Sequence, residues 1–324
     1  MKALLCLRYG PPQALEIQDI PEPAAGPGEV VVAVAAAALN FFDILAIAGK
    51  YQVKPEFPFS PAAEFAGTVA AVGAGVKDFK AGDRVAGSIG FGAAREQVAV
   101  KAQQLVRVPE GLPLEKAAGI IITYGTALHA LKDRARLKPG ETLAVLGAAG
   151  GVGLAAVELG KAMGARVIAC ASSADKLEFA KKHGADEGID YSKEDLKERL
   201  RALTAGNGVD VIYDPVGGVY AEAALRAIAW QGRFLVIGFA SGEIPKIPLN
   251  LLLLKSTDLL GVFWGEFIRR NPDAHRANMA EILSLARKAK ISAHVDAVYP
   301  LERAAEAFEA IAQRKAKGKI VLKP

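Results

Sequence analysis

Cysteine is nearly absent: Cys6 and Cys170 are the two in 324 residues. They stand far apart, each inside an apolar strand-like run, so a disulfide framework and a thiolate metal cluster are both excluded, and a reducing cytoplasm fits. Histidine is almost as sparse. His129, His183, His275 and His294 are scattered without the spacing of metal ligands and without a neighbouring nucleophile. No run of about 18 apolar residues occurs, which excludes a membrane-spanning helix. The start, Met1-Lys2-Ala3-Leu4-Leu5-Cys6, lacks the long apolar stretch of a secretion signal. Dense basic runs and basic stripes interleaved with aromatics are missing too. The net charge of +5, from 40 basic against 35 acidic residues, gives a nucleic-acid partner almost no support; it suits an anionic small ligand or simply a mixed surface.

What is present is ordinary globular material, 52% hydrophobic and 23% charged, in a chain longer than the roughly 250–300 residues at which one core stops growing, so two domains are expected. Short strands punctuated by Gly and Pro fill the first third: residues 2–7, 15–20, 30–38, 64–72, 84–87 and 96–100. This is a β-rich, barrel-like pattern. From about Leu114 helices alternate with strands. A helix over 115–131 precedes a strand at 142–146, and strands at 166–169, 187–190, 209–213 and 233–237 come after it, separated by helices over 152–163, 174–183, 193–204 and 220–229. Such alternation predicts βαβ units on a parallel sheet covered on both faces. The end, with helices over 274–288 and 301–313 and a strand at 319–322, leaves that rhythm and is expected to return to the first domain, making the second an insertion.

One motif carries chemistry. The strand at 142–146 runs into Gly147-Ala148-Ala149-Gly150-Gly151-Val152-Gly153 and then a helix, the setting that turns a glycine pattern into a dinucleotide-binding fingerprint. Gly150 and Gly151 let backbone amides approach a pyrophosphate, Gly153 lets the helix pack close to the strand, and the helix N-terminus supplies partial positive charge. An NAD site usually has an acid at the end of the second strand to bind the ribose 2′-hydroxyl. Here that strand ends Ala169-Cys170-Ala171-Ser172-Ser173, with Lys176 on the next helical turn. Hydroxyls and an ammonium suit a 2′-phosphate, which points to NADPH; alternatively Ser172 and Ser173 cap the helix and Lys176 is an ordinary solvated residue.

Taken together, Leu39-Asn40-Phe41-Phe42-Asp43, Tyr124-Gly125-Thr126-Ala127, the 147–153 turn and Lys317-Gly318-Lys319-Ile320-Val321-Leu322 resemble the medium-chain dehydrogenase/reductase superfamily, and within it the zinc-independent quinone oxidoreductases. The resemblance implies an α/β protein: a GroES-like β-barrel catalytic domain, residues 1–120 plus 265–324, with an inserted Rossmann NADPH-binding domain, residues 121–264, and an active cleft between them. It implies a homodimer, with the apolar strand at 258–263 as a candidate seam or else a piece of the core. It matches Lys176 and Tyr191 to the adenosine 2′-phosphate, Gly150, Gly151 and Val152 to the pyrophosphate turn, and Asn40, Thr126, Gly238 and Phe239 to the nicotinamide and its ribose, with Phe263, Trp264 and Lys319 matching more loosely. Zinc-dependent relatives would place a cysteine ligand near Asn40 and a His-Glu pair in 62–67. Ala63 stands where that His would be and Glu64 remains alone, so no metal is expected.

The expected reaction is hydride delivery from NADPH to a quinone, the protein chiefly orienting the reactants. Asn40 is placed to hydrogen-bond the nicotinamide or the carbonyl. Tyr51 is a candidate donor to the developing oxyanion, or else a wall of the cleft. Asp43 reads as a helix-start cap or an orienting residue. Two rivals stay open: a reductase of enones or acryloyl-type conjugated carbonyls using the same cofactor, and a non-catalytic NADPH-binding protein.

Overall fold

The computed structural model describes residues 1–324. By contact the chain divides into two compact units, Met1–Ile122 with Ala293–Pro324, and Thr123–Ser292. The first carries strands β1 (Lys2–Leu5), β2 (Glu16–Asp19), β3 (Glu29–Leu39), β4 (Glu64–Val72), β5 (Arg84–Ser88), β6 (Gln97–Lys101) and β7 (Leu105–Arg107). The second carries β8 (Thr142–Leu146), β9 (Arg166–Ala171), β10 (Glu187–Asp190), β11 (Val209–Asp214), β12 (Ile228–Val236) and β13 (Asp258–Gly261), and the chain returns to the first unit with β14 (Val295–Pro300) and β15 (Lys319–Lys323).

Strand β3 organises the first unit. Along one edge it pairs antiparallel with β4; along the other, Glu29–Ala33 pair with β6 and Ala37–Leu39 with β15. Register shifts against β4 at Val31/Val32 and Val34/Ala36 bend the strand, and the bend lets one strand serve two neighbours, as a barrel-like sheet requires. Inside lie Val30, Val32, Leu39, Phe65, Val85, Phe308 and Leu322. Gly67 on β4 is enforced by the close crossing, because a Cβ there would meet the Ala33 carbonyl oxygen at 2.0 Å.

The second unit is a six-stranded parallel sheet in the order β10-β9-β8-β11-β12-β13. Renumbered from its own first strand this is 3-2-1-4-5-6, the Rossmann order, whose chain reverses direction between β8 and β11. Leu143, Ala144, Val145 and Leu146 on β8 are all fully buried, as expected of a strand with helices on both faces. Helices Gly151–Ala162, Ala174–Lys182, Leu196–Leu203 and Val219–Arg226 cover it. No helix of the chain is long and apolar enough to cross a membrane.

Several local expectations change. The helix expected over 115–131 is two helices, Leu114–Ala118 and Ile121–Leu128, followed by a wider π-type stretch, His129–Arg134. The break falls at Gly119-Ile120, and in the first turn of the second helix the Ile122 N–H is taken by the Glu64 carboxylate at 2.7 Å. Helices Trp264–Arg270 and Pro272–Arg287 group with the second unit, so residues 265–292 lie there rather than with the first. Contacts hold both: Lys132 reaches Asn278 and Glu281 and Asn278 donates to Asp133 at 2.8 Å, while the His129 ring stacks on Phe267. Strand β14 was not expected; for helix Phe41–Ile47 the sequence offered Asp43 as the cap, whereas Asn40 is the N-cap and Asp43 the third residue of the first turn. The helix is an almost unbroken apolar run without helical periodicity, and its start is marked by Asp43, whose carboxylate accepts from the Asn40 N–H at 2.8 Å; β14 alternates half-buried with exposed residues and pairs parallel with β15.

Candidate active site

The glycine turn sits at the C-terminal end of β8, beside the reversal of strand order where α/β proteins bind ligands. Gly147 turns the chain at φ +60°. A Cβ on Gly153 would lie 2.2 Å from the Gly147 carbonyl oxygen, so only glycine lets the helix begin this close to the strand. Gly150 is the N-cap of helix Gly151–Ala162, with no side-chain cap and no acid in the first turn. The first bond of that helix runs from Leu154 N to Gly150 O at 2.7 Å. The N–H groups of Gly151, Val152 and Gly153 therefore have no carbonyl one turn back, and together with the helix dipole of about half a charge they form an anion-binding end.

At the ends of β9 and β10 the chain brings together Ser172, Ser173, Lys176 and Tyr191. The Lys176 ammonium donates to the Ser172 hydroxyl at 3.3 Å, and the Ser192 hydroxyl donates to the Ser172 carbonyl. Tyr191 N bonds the Ala171 carbonyl, and its ring packs on Tyr220 at 4.2 Å. Ser173 occupies the N-cap of helix Ala174–Lys182, but its hydroxyl donates to the Asp175 carboxylate and caps no backbone N–H. Capping is thus not what the two serine hydroxyls do.

Gly238 and Phe239 come directly after β12 on the same edge of the sheet. Ile237 N and Gly238 N bond the Asp214 carbonyl, and Ala240 N bonds Pro215. A Cβ on Gly147 would come within 3.0 Å of Val216, and one on Gly217 within 2.9 Å of the Phe239 ring, so the 214–218 segment joins the glycine turn to Gly238-Phe239. The buried Asp214 carboxylate holds that segment by accepting from Val216 N and Gly217 N at 2.8 and 2.9 Å. Burial raises its pKa and the two N–H bonds oppose the rise. Asp214 was not singled out from sequence; an acid ending a central strand before Pro-Val-Gly-Gly was the available signal.

Thr126 is buried on helix Ile121–Leu128, one residue after Gly125, where a Cβ would meet the Trp264 indole at 2.8 Å. Trp264 is correspondingly buried, whereas Phe263 is 62% exposed at the end of β13. Neighbouring Tyr124 donates to Glu158 at 2.7 Å, and Glu158 also takes contacts from His183 and Ser292. Burial works to raise the Glu158 pKa, but these hydrogen bonds win and hold it below the ordinary value. Glu158, on the turn after the fingerprint, is a second residue that sequence reasoning missed.

The first unit holds a buried polar cluster. Lys319 Nζ donates to Leu39 O at 2.7 Å, Asn40 Oδ1 at 2.8 Å and Glu64 Oε1 at 2.7 Å, one acceptor for each of its three N–H bonds. Asn40 Nδ2 donates back to Glu64 Oε1 at 3.0 Å, and Glu64 Oε2 accepts from Ile122 N. The Lys319 stem passes Gly119, where a Cβ would lie 3.0 Å from its Cγ. Glu64, the carboxylate left over from the zinc pattern, is thus paired with an internal ammonium. Lys319 was expected near the cofactor; with all three donors engaged, what it does is fix the Asn40 amide. Beside the cluster, Asp43 is raised by burial to about 7, its bond from Asn40 N and the Lys319 charge opposing the rise and the Glu64 charge adding to it. Tyr51 stacks on Phe42 at 5.3 Å. Burial raises the Tyr51 pKa and the Asp43 charge adds to it, against a hydrogen bond with Gln52. The phenol therefore stays protonated at neutral pH, a better hydrogen-bond donor than acid.

The chain matches two family models: the alcohol dehydrogenase GroES-like domain over residues 26–110 and the zinc-binding dehydrogenase domain over residues 151–284. It is 36% identical to the quinone oxidoreductase of Pseudomonas aeruginosa over 98% of the chain and 97% of that protein. It is 40% identical to quinone oxidoreductase-like protein 2 of Rattus norvegicus over 96% of the chain and 89% of that protein. Among solved structures, that of Escherichia coli quinone oxidoreductase complexed with NADPH superimposes with a TM-score of 0.93 at 31% identity, covering all of both chains.

Proposed function

The chain belongs to the quinone oxidoreductase family of the medium-chain dehydrogenases/reductases, and on that premise we propose that it is an NADPH:quinone oxidoreductase working without zinc. The observation that carries this reading is the pairing of an uncapped, acid-free helix N-terminus after the 147–153 turn with Ser172 and Lys176, rather than an acid, at the end of β9. The similar E. coli protein is complexed with NADPH, which supports the same choice of cofactor.

In this reading the second unit binds NADPH. Gly150, Gly151 and Val152 turn backbone N–H groups to the pyrophosphate; Ser172, Ser173, Lys176 and Tyr191 surround the 2′-phosphate; Thr126, Gly238, Phe239 and Phe263 lie along the nicotinamide half, with Trp264 buttressing Thr126 from behind Gly125. NADPH, when bound, supplies the hydride. The first unit serves the acceptor. Asn40, held by Lys319 and Glu64 from either end of its amide, presents a fixed hydrogen-bonding edge. The protonated Tyr51 phenol donates a hydrogen bond to the oxygen that gains negative charge, and water completes the protonation of the quinol. Fixed donors of this kind need no reorganisation as the charge appears.

The same proposal includes a cytoplasmic homodimer. In its support, β13 is the edge of the six-stranded sheet, and Leu249, Leu253 and Leu254 beside it are 74, 79 and 68% exposed, an apolar edge of the sort a second copy covers. Both cysteines are free thiols, buried in the two cores. The experiment is Lys176→Ala, which should weaken NADPH by roughly 1–3 kcal/mol, the range of a charge-assisted hydrogen bond, and leave NADH nearly unchanged. Equal losses for both cofactors would sink the 2′-phosphate assignment.

A further inference from the structure

The first unit carries a row of aromatic side chains beyond the residues assigned above. Two positions before Tyr51, Gly49 adopts φ +67°, and a Cβ there would lie 2.8 Å from Cγ of Tyr9; the Tyr9 ring rests on the glycine. Gly10 N bonds the Ile47 carbonyl at 3.0 Å and fastens the chain behind that ring. From Tyr9 the row runs edge-on to Phe57 at 4.7 Å, then to Phe59 at 5.8 Å and Phe91 at 6.1 Å. Phe59 is buried and anchors the row, its backbone bridged to Cys6 in both directions. Tyr9, Phe57 and Phe91 remain 38, 42 and 41% exposed. Three loops thus converge to hold large apolar groups partly in water, which ordinary surfaces avoid when the groups are contiguous.

Resting on the reading of Tyr51 as an acceptor-side residue, we propose that this row is a subsite for the apolar body of the acceptor, and that the preferred acceptor is a quinone carrying a hydrocarbon chain. The quinone ring lies at Tyr51 and its chain along Tyr9, Phe57 and Phe91. The row is a single file of four rings, and it starts at Tyr9, whose ring rests on Gly49, two residues before Tyr51 in the chain. Those are the dimensions of a substituent on a small molecule, far short of the roughly 800 Å² per partner that a stable protein interface buries. Aromatic edges and faces offer a hydrocarbon chain dispersion contacts and removal from water without imposing one conformation on it.

The test is kcat/KM for 1,4-benzoquinones with alkyl chains of increasing length, alongside the same chains on an enone head, for the unaltered protein, Phe57→Ala and Phe91→Ala. Both positions are substantially exposed, so truncation leaves the fold intact. The unaltered protein is expected to gain about two- to fourfold per methylene over the first few carbons, the upper figure being the ~0.8 kcal/mol of a buried CH₂. Both variants should lose that slope while unsubstituted benzoquinone reacts as before, and Phe57→Leu should recover part of it. A flat dependence on chain length overturns the subsite, as do variants that lose equally on the unsubstituted ring. A slope on enone heads with no quinone turnover supports the row and overturns the quinone reading. Should neither head react, calorimetric titration with alkyl hydroquinones reads the same slope as affinity, and its absence overturns the proposal.

Discussion

Replacing Lys319 by methionine keeps the stem beside Gly119, removes the ammonium and leaves its acceptors without a donor. Glu64 is fully buried, and of its three hydrogen bonds the one from Lys319 is the only one carrying positive charge. Left with two neutral donors, a buried carboxylate is an uncompensated charge, and breaking such a pair from one side destabilises by about 3–5 kcal/mol. Leu39 O and Asn40 Oδ1 lose their donor as well. Glu64→Gln breaks the pair from the other side: the buried ammonium keeps only neutral acceptors, and the single amide oxygen can no longer serve both Lys319 and Ile122 N. In Lys319→Met/Glu64→Gln no charge is stranded, so the double variant should lose less than the sum of the singles, with a coupling of about 2–3 kcal/mol. Scanning calorimetry reads this, tracking whichever transition the single substitutions shift, because two units need not unfold together. Strict additivity would refute the claim that one ion pair holds the cluster. A Lys319→Met protein as stable as the unaltered chain would refute the cluster's structural importance.

Two further predictions use the same geometry. Asp43 is raised from 3.8 to about 7, so the folded chain binds its proton more tightly than the unfolded chain; the contribution is complete below about pH 4 and is lost as pH rises through about 7, a change of up to about 4 kcal/mol. Thermal midpoints of the unaltered protein should fall across that window and those of Asp43→Asn should not; parallel curves would contradict the assignment. Gly153→Ala puts a Cβ 2.2 Å from a backbone oxygen, which should cost about 1–3 kcal/mol and weaken NADPH and NADH alike, since both share the pyrophosphate. An intact affinity would show that the turn does not hold the cofactor.

What was legible in the sequence was what is local. The 147–153 turn, the missing acid after β9 and the βαβ rhythm are each written within some twenty residues, where strand, turn and helix chemistry act directly. The cluster was not legible as a cluster: Asn40, Glu64 and Lys319 were each noticed, but Glu64 and Lys319 are 255 residues apart, and their pairing depends on β15 lying beside β3. The aromatic row is similarly assembled from three loops whose sequences carry no period. The single helix expected over 115–131 breaks at Gly119, and the next helix opens with the Ile122 N–H bonded to Glu64, a residue 58 positions earlier in the chain.

The central claim is tested most directly by mixing the purified protein with NADPH and a panel of quinones and short enones and recording loss of the nicotinamide absorbance, with NADH and a metal chelator as controls. Rapid, chelator-insensitive turnover of quinones with NADPH, and weaker turnover with NADH, is the predicted result. Turnover confined to enones, turnover abolished by the chelator, or tight NADPH binding with no acceptor reduced would contradict it.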